Sequence, residues 1–350
     1  MKNLIARKAN TLLLLLILPL YTLAQGNQLR ERRFITINRI EQWITITGDK
    51  TKPAILFMHG GPGSTMSPYA DNVYKEWEKD FVLIHWDQRG AGKTYGRTAP
   101  DELSPAYLKA NPLTVDQIVD DGIKVAEYML KYLGKQKLTL FGTSWGSIPA
   151  VGMAVKRPDL FNGYVGHSQV VEPLANLIGD YAKISALVKK TNDEQSKEIL
   201  TAIDTPPYAS ARDAGKLFKI IKKYERMAST PSPDAWWKLA PEYDNAKDNQ
   251  NREDGDDYSF VNYVGDSKLG VKPMMADINF AKNYWQFNIP VYLVQGEEDI
   301  LTPAAITKAY FAKIKAPAKQ LILVPKAAHG FNEAVLYAQL KAIKQVNGIK

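Results

Sequence analysis

A serine between glycines carries the strongest chemical signal in this sequence. The segment Gly142-Thr143-Ser144-Trp145-Gly146 directly follows an apolar run and precedes a helical pattern. A sharp turn from a strand into a helix projects such a serine oxygen out of a sheet, and glycines on either side leave room for the turn. The five-residue string is weak by itself, so the strand before it and the helix after it give it weight. Ser144 is therefore the predicted nucleophile.

A second glycine-rich segment, His59-Gly60-Gly61-Pro62-Gly63, follows the apolar run at 54–58. Glycines at the end of a strand let a backbone amide approach a substrate oxygen. The amide of the residue after the nucleophile supplies the other half of such an oxyanion hole. Gly61 and Trp145 are the predicted donors, and an ordinary Gly-Pro turn is the alternative interpretation of the segment.

Four histidines are available as a general base. A serine nucleophile needs a neutral imidazole within hydrogen-bond reach, and after this type of turn the partners follow in the order serine, acid, histidine. His59 and His85 both precede Ser144. His59 is expected to shape the glycine turn, and His85 is expected to be structural. His167 follows Ser144 too closely for an acid to lie between them on a later strand. His329, in a loop after the last apolar run, is the predicted base.

Three carboxylates follow the seventh apolar run, at Glu297, Glu298 and Asp299. A carboxylate at the end of that strand can hold the second nitrogen of the imidazole and stabilise the imidazolium during proton transfer. Asp299 is the predicted acid, and Glu298 or Glu297 is the alternative because either carboxylate type serves in such a triad. Asp87 precedes the serine and is expected to be structural, beside Arg89.

The elements that must position these residues form a regular alternation. Short β-branched runs alternate with helical patterns, which is typical of a parallel sheet covered by helices. An edge hairpin with alternating polarity precedes nearly continuous apolar runs, as expected for strands buried on both faces. Eight strands are predicted, at 33–37, 43–47, 54–58, 81–86, 138–141, 164–165, 291–294 and 321–324. Helices are predicted from 115 up to Gly134 behind a capping box of Thr114 and Gln117, at 147–157 and at 332–346.

The segment 172–285 differs in texture from the rest of the chain. It is helical, polar and rich in aromatic residues, and so long an insertion into a regular alternation indicates a lid or cap. The core is then expected to comprise 25–171 and 286–350. Within the insertion, 241–257 holds seven acidic and two basic residues and is expected to be a solvated surface loop.

Composition excludes several classes of protein and of site. With 350 residues, of which 45% are apolar and 23% charged, the chain is long enough for one large globular domain or two smaller ones. It has no cysteine, so disulfide scaffolds, thiolate metal sites and cysteine nucleophiles are excluded. The net charge of +8 is spread over short basic runs, which is typical of a solvated surface and not of a nucleic-acid interface.

The first 24 residues are predicted to be a secretory signal peptide and not part of the fold. Lys2, Arg7 and Lys8 precede an uncharged apolar stretch, and small residues lie before Gln25, so cleavage is expected near Ala24. A single membrane anchor is the alternative, but the apolar run is far shorter than the roughly 20 residues that span a bilayer. The mature protein is therefore expected in the periplasm or outside the cell, with no stable membrane span.

Three segments together resemble a known family. His59-Gly60-Gly61-Pro62-Gly63, Asp87-Gln88-Arg89-Gly90 and Gly142-Thr143-Ser144-Trp145-Gly146-Ser147 are similar to the motifs of the proline iminopeptidase branch of the α/β-hydrolases. The resemblance extends from about residue 33 to 347, with a looser match in the cap. It implies an α/β-hydrolase fold: an eight-stranded, mostly parallel sheet flanked by helices, with a helical cap inserted between the sixth and seventh strands.

The resemblance also implies an activity and a set of roles. Members of this branch release an N-terminal residue, often proline, from peptides through an acyl-enzyme. Carried over to this sequence, the resemblance makes Ser144 the nucleophile, Asp299 and His329 its partners, and Gly61 and Trp145 the oxyanion donors.

One feature of the branch is missing at its expected place. Its members hold the free ammonium of the substrate with cap glutamates, commonly directly after a tryptophan, and here Trp236-Trp237 is followed by Lys238. Glu172, Glu225 and Glu242 are the available substitutes, and each is expected to be a surface charge.

The predicted function is that of a serine aminopeptidase acting on small peptides, with no metal or organic cofactor required and no nucleic-acid partner. An esterase, lactonase or amidase that acts on a small non-peptide acyl substrate is the main alternative, because fold and triad do not fix the acyl group. A binding protein that retains the fold without catalysis is a third hypothesis. The complete set of serine, acid and histidine positions argues against it.

Overall fold

The computed structural model describes residues 26–100 and 102–349. The predicted signal peptide, residues 1–24, lies outside the described residues. In the part of the chain that is described, no helix combines the length and the apolar character needed to cross a bilayer.

One sheet of eight strands forms the centre of the molecule. The strands are β1 (Gln28–Ile37), β2 (Ile40–Asp49), β3 (Ala54–Met58), β4 (Val82–Trp86), β5 (Leu138–Thr143), β6 (Phe161–His167), β7 (Val291–Gly296) and β8 (Lys319–Val324). Their order across the sheet is β1-β2-β4-β3-β5-β6-β7-β8. β2 pairs antiparallel with both of its neighbours, and all other neighbouring strands are parallel. The predicted mostly parallel sheet of eight strands is confirmed.

The observed strands are longer than predicted where glycine or polar residues weaken the sequence signal. β6 extends well beyond the predicted 164–165, because Gly163 and Gly166 interrupt its apolar pattern although both pair with neighbouring strands. β1 and β2 likewise run beyond the predicted hairpin, and Gln28 pairs with Asp49 at its open end.

Helices cover both faces of this sheet. In the described residues they are α1 (Ala70–Tyr74), α2 (Gly92–Thr98), α3 (Pro105–Ala110), α4 (Val115–Leu133), α5 (Ser147–Lys156), α6 (Pro173–Thr191), α7 (Glu194–Ile203), α8 (Ala211–Ala228), α9 (Ala246–Val264), α10 (Phe280–Asn283), α11 (Ala304–Lys313) and α12 (Glu333–Val346). α4 has the predicted capping box of Thr114 and Gln117, and it ends at Gly134, whose φ of 68° is left-handed.

Alternation along β3 divides the apolar core into two clusters. Leu56 and Met58 lie in the cluster that includes α4 and α5, whereas Ile55 and Phe57 lie in the cluster that includes α1 and α12. Successive side chains of a strand point to opposite faces, so one buried strand contributes to both clusters. Helices therefore cover both faces of the sheet, and the loops that follow the parallel strands lie at its carboxyl edge.

The segment 172–285, which we call the cap, contains α6 to α10. The prediction that 241–257 is a solvated loop is wrong, because most of it belongs to α9. Asn245 accepts a hydrogen bond from the Asp248 backbone N–H at the start of this helix. Asp248 pairs with Lys93 Nζ at 2.6 Å, and Asp256 accepts a hydrogen bond of 2.8 Å from the Ser64 hydroxyl. Asp248 and Asp256 therefore meet polar groups of the core instead of water alone.

The close approach of α9 to the glycine turn can be tested with a matched pair of alanine substitutions. Gly63 and Gly134 both have positive φ, of 92° and 68°. A Cβ at Gly63 would lie 2.7 Å from the Asp256 Cα, whereas nothing lies within 4 Å of one at Gly134. Gly134→Ala should cost about 1–2 kcal/mol of the free energy of unfolding, for the left-handed backbone alone.

Gly63→Ala should cost at least about 2 kcal/mol more, because backbone atoms of α9 must move. Urea unfolding of both variants measures the difference. Equal losses in the two variants would contradict the contact between α9 and the turn.

Candidate active site

Ser144 lies at the turn between β5 and α5. Its φ of 50° is in the left-handed region, which is strained for a serine and is typical of functional turns. A Cβ on Gly146 would lie 2.0 Å from the carbonyl oxygen of Met58, and one on Gly142 would lie 2.8 Å from the carbonyl oxygen of Gly146. The two glycines are thus required because the turn presses against the end of β3 and against itself.

The structure brings together the three residues of the predicted triad, from three loops at the carboxyl edge of the sheet. His329 Nε2 lies 2.7 Å from Ser144 Oγ. His329 Nδ1 lies 3.1 Å from each carboxylate oxygen of Asp299. Because the parallel strands β5, β7 and β8 all end at this edge, residues 185 positions apart in sequence become neighbours.

The Asp299 carboxylate is held by its own turn and by β7. It accepts hydrogen bonds of 2.7 Å from both the backbone N–H and the hydroxyl of Thr302, and one of 2.9 Å from Gln295 Nε2. The competing carboxylates Glu297 and Glu298 are exposed. Only Asp299 of the three lies within hydrogen-bond distance of His329 in the described structure.

The charges of the acid and the base depend on each other. Burial by itself disfavours a charged imidazole, but the Asp299 carboxylate and then Glu225 outweigh burial and raise the pKa of His329. Burial likewise acts to raise the pKa of Asp299, but His329 and the hydrogen bonds from Thr302 lower it overall. Asp299 is therefore ionised when His329 accepts a proton, and an imidazolium formed at His329 is stabilised.

A buried network connects the two predicted oxyanion donors. Burial lowers the pKa of His59 to about 4, so its ring is neutral; Nε2 accepts from the Gln88 backbone N–H, and Nδ1 donates to the Gly60 carbonyl. Gln88 Nε2 donates to the His59 carbonyl at 3.1 Å, and Gln88 Oε1 accepts from Trp145 Nε1 at 3.1 Å. Gln88 thus joins the glycine turn that contains Gly61 to the residue after the nucleophile.

The sequence marks the segment 87–90 only by its resemblance to the family motif, and it does not predict a role for Gln88. Asp87 is structural, as expected, but its hydrogen bonds do not involve Arg89. Asp87 accepts hydrogen bonds from the hydroxyls of Thr65 and Ser67, while Arg89 Nε donates to Asp121 at 2.8 Å. The segment 87–90 directly follows β4. Its alternate residues therefore point in opposite directions and contact different neighbours.

The other early histidine is structural, as expected. His85 is buried within β4, and its ring stacks on Phe57 with the ring centroids 4.1 Å apart. Burial lowers its pKa to about 3, so this ring is neutral at physiological pH.

A cavity of about 660 Å³ lies between the cap and the carboxyl edge of the sheet. It is lined by Ser144 and His329 from the core and by Asp180 and Glu225 from α6 and α8. The expectation that Glu225 is a surface charge is wrong, because it is only 5% exposed. Glu225 follows Ile221 by one helical turn on the buried face of α8, so it points into the molecule.

Asp180 was not anticipated, because an acidic residue within a helical stretch is ordinarily solvated. It is 2% exposed, and its Oδ1 has no hydrogen-bond partner among the described residues. Burial first, and then the nearby charges of Asp299 and Glu225, raise the pKa of Asp180 to about 9. Of the two remaining candidates, Glu242 pairs with Arg32 at 2.6 Å outside the cavity, and Glu172 does not line it.

In this structure a serine at a strand-to-helix turn is hydrogen-bonded to a histidine, which is hydrogen-bonded to an aspartate. This arrangement, at the carboxyl edge of such a sheet, defines a serine hydrolase. The model of the α/β-hydrolase fold family matches residues 53–333. The chain belongs to this family.

Relatives and solved structures agree with this assignment. The probable aminopeptidase YbaC of Bacillus subtilis (strain 168) is 29% identical over 301 residues, which cover 84% of this chain and 89% of that protein. The proline iminopeptidase of Clostridioides difficile (strain 630) is 23% identical over 194 residues, which cover 55% of this chain and 60% of that protein. The structure of VinJ superposes with a TM-score of 0.62 at 20% identity, covering 91% of this chain and 99% of that one. The structure of the proline iminopeptidase of Mycobacterium smegmatis superposes with a TM-score of 0.61 at 17% identity, covering 91% of this chain and 96% of that one.

The network at Gln88 predicts a catalytic defect without a binding defect. Gln88→Leu removes the link between the glycine turn and Trp145, so the donors should lose their alignment toward the oxyanion. We expect kcat to fall by about 10²-fold with KM little changed, as when one oxyanion donor is lost. Steady-state kinetics with a substrate that the enzyme hydrolyses measures kcat and KM. Gln195→Leu, at an exposed position of α7, is the control. An unchanged kcat would show that the network does not align the donors.

The raised pKa of His329 predicts the pH dependence of the reaction. Only the neutral imidazole can accept the serine proton, so kcat/KM should rise with pH as His329 loses its proton. Because the folded protein raises this pKa, the midpoint should lie above the ordinary value of 6.5. A pH profile of kcat/KM locates the midpoint, and a midpoint below 6.5 would contradict the balance of charges described above.

Proposed function

We propose that this serine hydrolase is an aminopeptidase that releases the N-terminal residue of short peptides. The observation that carries the proposal is Asp180, a buried cap carboxyl group in the same cavity as Ser144, whose Oδ1 has no hydrogen-bond partner among the described residues. The names of the relatives, a probable aminopeptidase and a proline iminopeptidase, point the same way.

The carboxylate of Asp180 suits the free ammonium of a peptide. A buried carboxylate without a partner is costly when ionised, which is why its pKa is raised to about 9. A substrate ammonium would supply both the missing hydrogen bond and the compensating charge. The charges of Glu225 and Asp299 nearby favour a cation further. Asp180 is protonated at neutral pH without substrate, so binding the ammonium would release its proton.

The proposed reaction follows from the geometry of the triad. Ser144 Oγ attacks the carbonyl carbon of the first residue while His329 Nε2 takes the hydroxyl proton. The amides of Gly61 and Trp145 stabilise the oxyanion of the tetrahedral intermediate. His329 then gives the proton to the departing amine, which leaves an acyl-enzyme on Ser144. A water, activated by the same imidazole, releases the amino acid and restores the serine.

We also propose that the protein acts outside the cytoplasm. The support is the sequence of residues 1–24, with its basic start, short apolar run and small residues before Gln25.

A panel of arylamides tests the activity. Proline and alanine arylamides should be hydrolysed, and acetylation of their amino group should lower kcat/KM by at least about 10²-fold, because the charge that meets a buried carboxylate is lost. Simple aryl esters without an amine are the comparison. Turnover of esters alone would favour the esterase alternative and overturn the proposal.

Asp180→Asn tests the amine site directly. The amide keeps the shape but not the charge, so kcat/KM for the free arylamide should fall by about 10- to 100-fold relative to that for its N-acetylated form. Asp277→Asn, at an exposed position of the cap, is the matched control. If the ratio of the two rates does not change in Asp180→Asn, the ammonium binds elsewhere.

A further inference from the structure

Glu225 connects the cap to the turn that carries the catalytic acid. Its Oε1 accepts a hydrogen bond of 2.7 Å from the backbone N–H of Ile300 and one of 3.2 Å from that of Leu301. These are the two residues directly after Asp299. A side chain of helix α8 therefore binds the backbone of a core loop 75 residues further along the chain.

The turn after Asp299 is defined by two carboxylates. Three consecutive backbone N–H groups follow the acid, and those of Ile300 and Leu301 donate to Glu225 while that of Thr302 donates to Asp299. Ile300 is buried, and its N–H depends on Glu225 as its acceptor. Without Glu225 the backbone must turn to find another acceptor, and the Asp299 side chain is attached to that backbone.

A second cap residue touches the same turn. Asn176 Nδ2 of α6 donates to the Leu301 carbonyl at 3.4 Å. The cap thus contacts this turn from two helices, whereas the core holds the Asp299 carboxylate itself through Gln295. The cap and the core meet where the acid is placed.

We propose that Glu225 is a positioning residue of the triad, which fixes the turn after Asp299 so that this carboxylate stays aligned with His329. The inference rests on the proposed catalytic roles of Ser144, Asp299 and His329, and it does not depend on which substrate is cleaved. It gives Glu225 a task that differs from that of Asp180, whose unpartnered oxygen faces the amine site.

Two conservative substitutions separate the effect of the side-chain length of Glu225 from the effect of its charge. Glu225→Gln keeps the length and a carbonyl oxygen that can accept both N–H groups, but it removes the charge. Glu225→Asp keeps the charge, but it is shorter by one methylene and cannot make both contacts without moving α8. A positioning role predicts that the aspartate variant is the damaged one, and a role that depends on charge predicts the reverse.

The readout is the rate at which a fluorophosphonate labels the active-site serine, together with kcat for an aryl ester that has no amine. Neither measurement involves the ammonium site. We expect Glu225→Asp to lower both by about 10- to 100-fold, as expected when a catalytic group is displaced by a fraction of an ångström to 1 Å. Glu225→Gln should lose less than Glu225→Asp, because it keeps both backbone contacts, and its pH midpoint for labelling should fall, because the Glu225 charge that helps raise the pKa of His329 is gone. KM for the ester should change little in either variant.

A matched variant and a measurement of folding serve as controls. Glu198→Asp, at an exposed position of α7, is the matched control for the shortened side chain. Urea unfolding shows whether each variant is folded. Asn176→Ala is the second variant, and it should slow labelling by about 3- to 10-fold because it loosens the same turn from α6.

Unchanged labelling in both Glu225→Asp and Asn176→Ala would overturn the inference, as would a larger loss in Glu225→Gln than in Glu225→Asp. If Glu225→Asp does not fold, Asn176→Ala alone decides between the outcomes. Absence of labelling in the unmodified protein would instead reject the proposed nucleophile, so the two failures are distinguishable.

Discussion

The structure depends on one chain of hydrogen bonds between groups that are distant in sequence: the Ser144 hydroxyl, the His329 imidazole and the Asp299 carboxylate. Such a chain works only if three loops converge to within a few tenths of an ångström. The parallel strands provide this, because β5, β7 and β8 all end at the same edge of the sheet. The strained backbone at Ser144 and the close packing around Gly146 are local consequences of placing a hydroxyl at that edge.

The cap places two further buried carboxyl groups, Asp180 and Glu225, in a site that already contains Asp299. Burial and the nearby charges raise the pKa of both groups, and Asp180 is protonated at neutral pH until a cation compensates its charge. The charges of Asp299 and Glu225 support the imidazolium that forms at His329 during proton transfer. In the proposed function Asp180 binds the substrate amine, whereas Glu225 holds the turn after Asp299 through two backbone N–H groups.

Much of this arrangement could be predicted from sequence because the signals are local or ordered along the chain. The context of Ser144, the order of serine, acid and histidine, and the apolar runs of the buried strands each follow from short-range patterns. The role of the cap carboxylates could not be predicted, since Asp180 and Glu225 fall on the buried faces of α6 and α8 but the sequence does not show that a cavity and a distant turn lie against those faces. The acidic stretch in α9 was misassigned for the same reason, because its partner Lys93 lies 155 residues away.

The most direct test of the central claim is to locate the residue that a fluorophosphonate modifies, by mass spectrometry of the purified protein. The account predicts a single adduct on Ser144, with none at that position in Ser144→Ala and much slower formation in His329→Ala, since the imidazole must take the hydroxyl proton. An adduct on another residue, or formation at the same rate without the His329 imidazole, would contradict it.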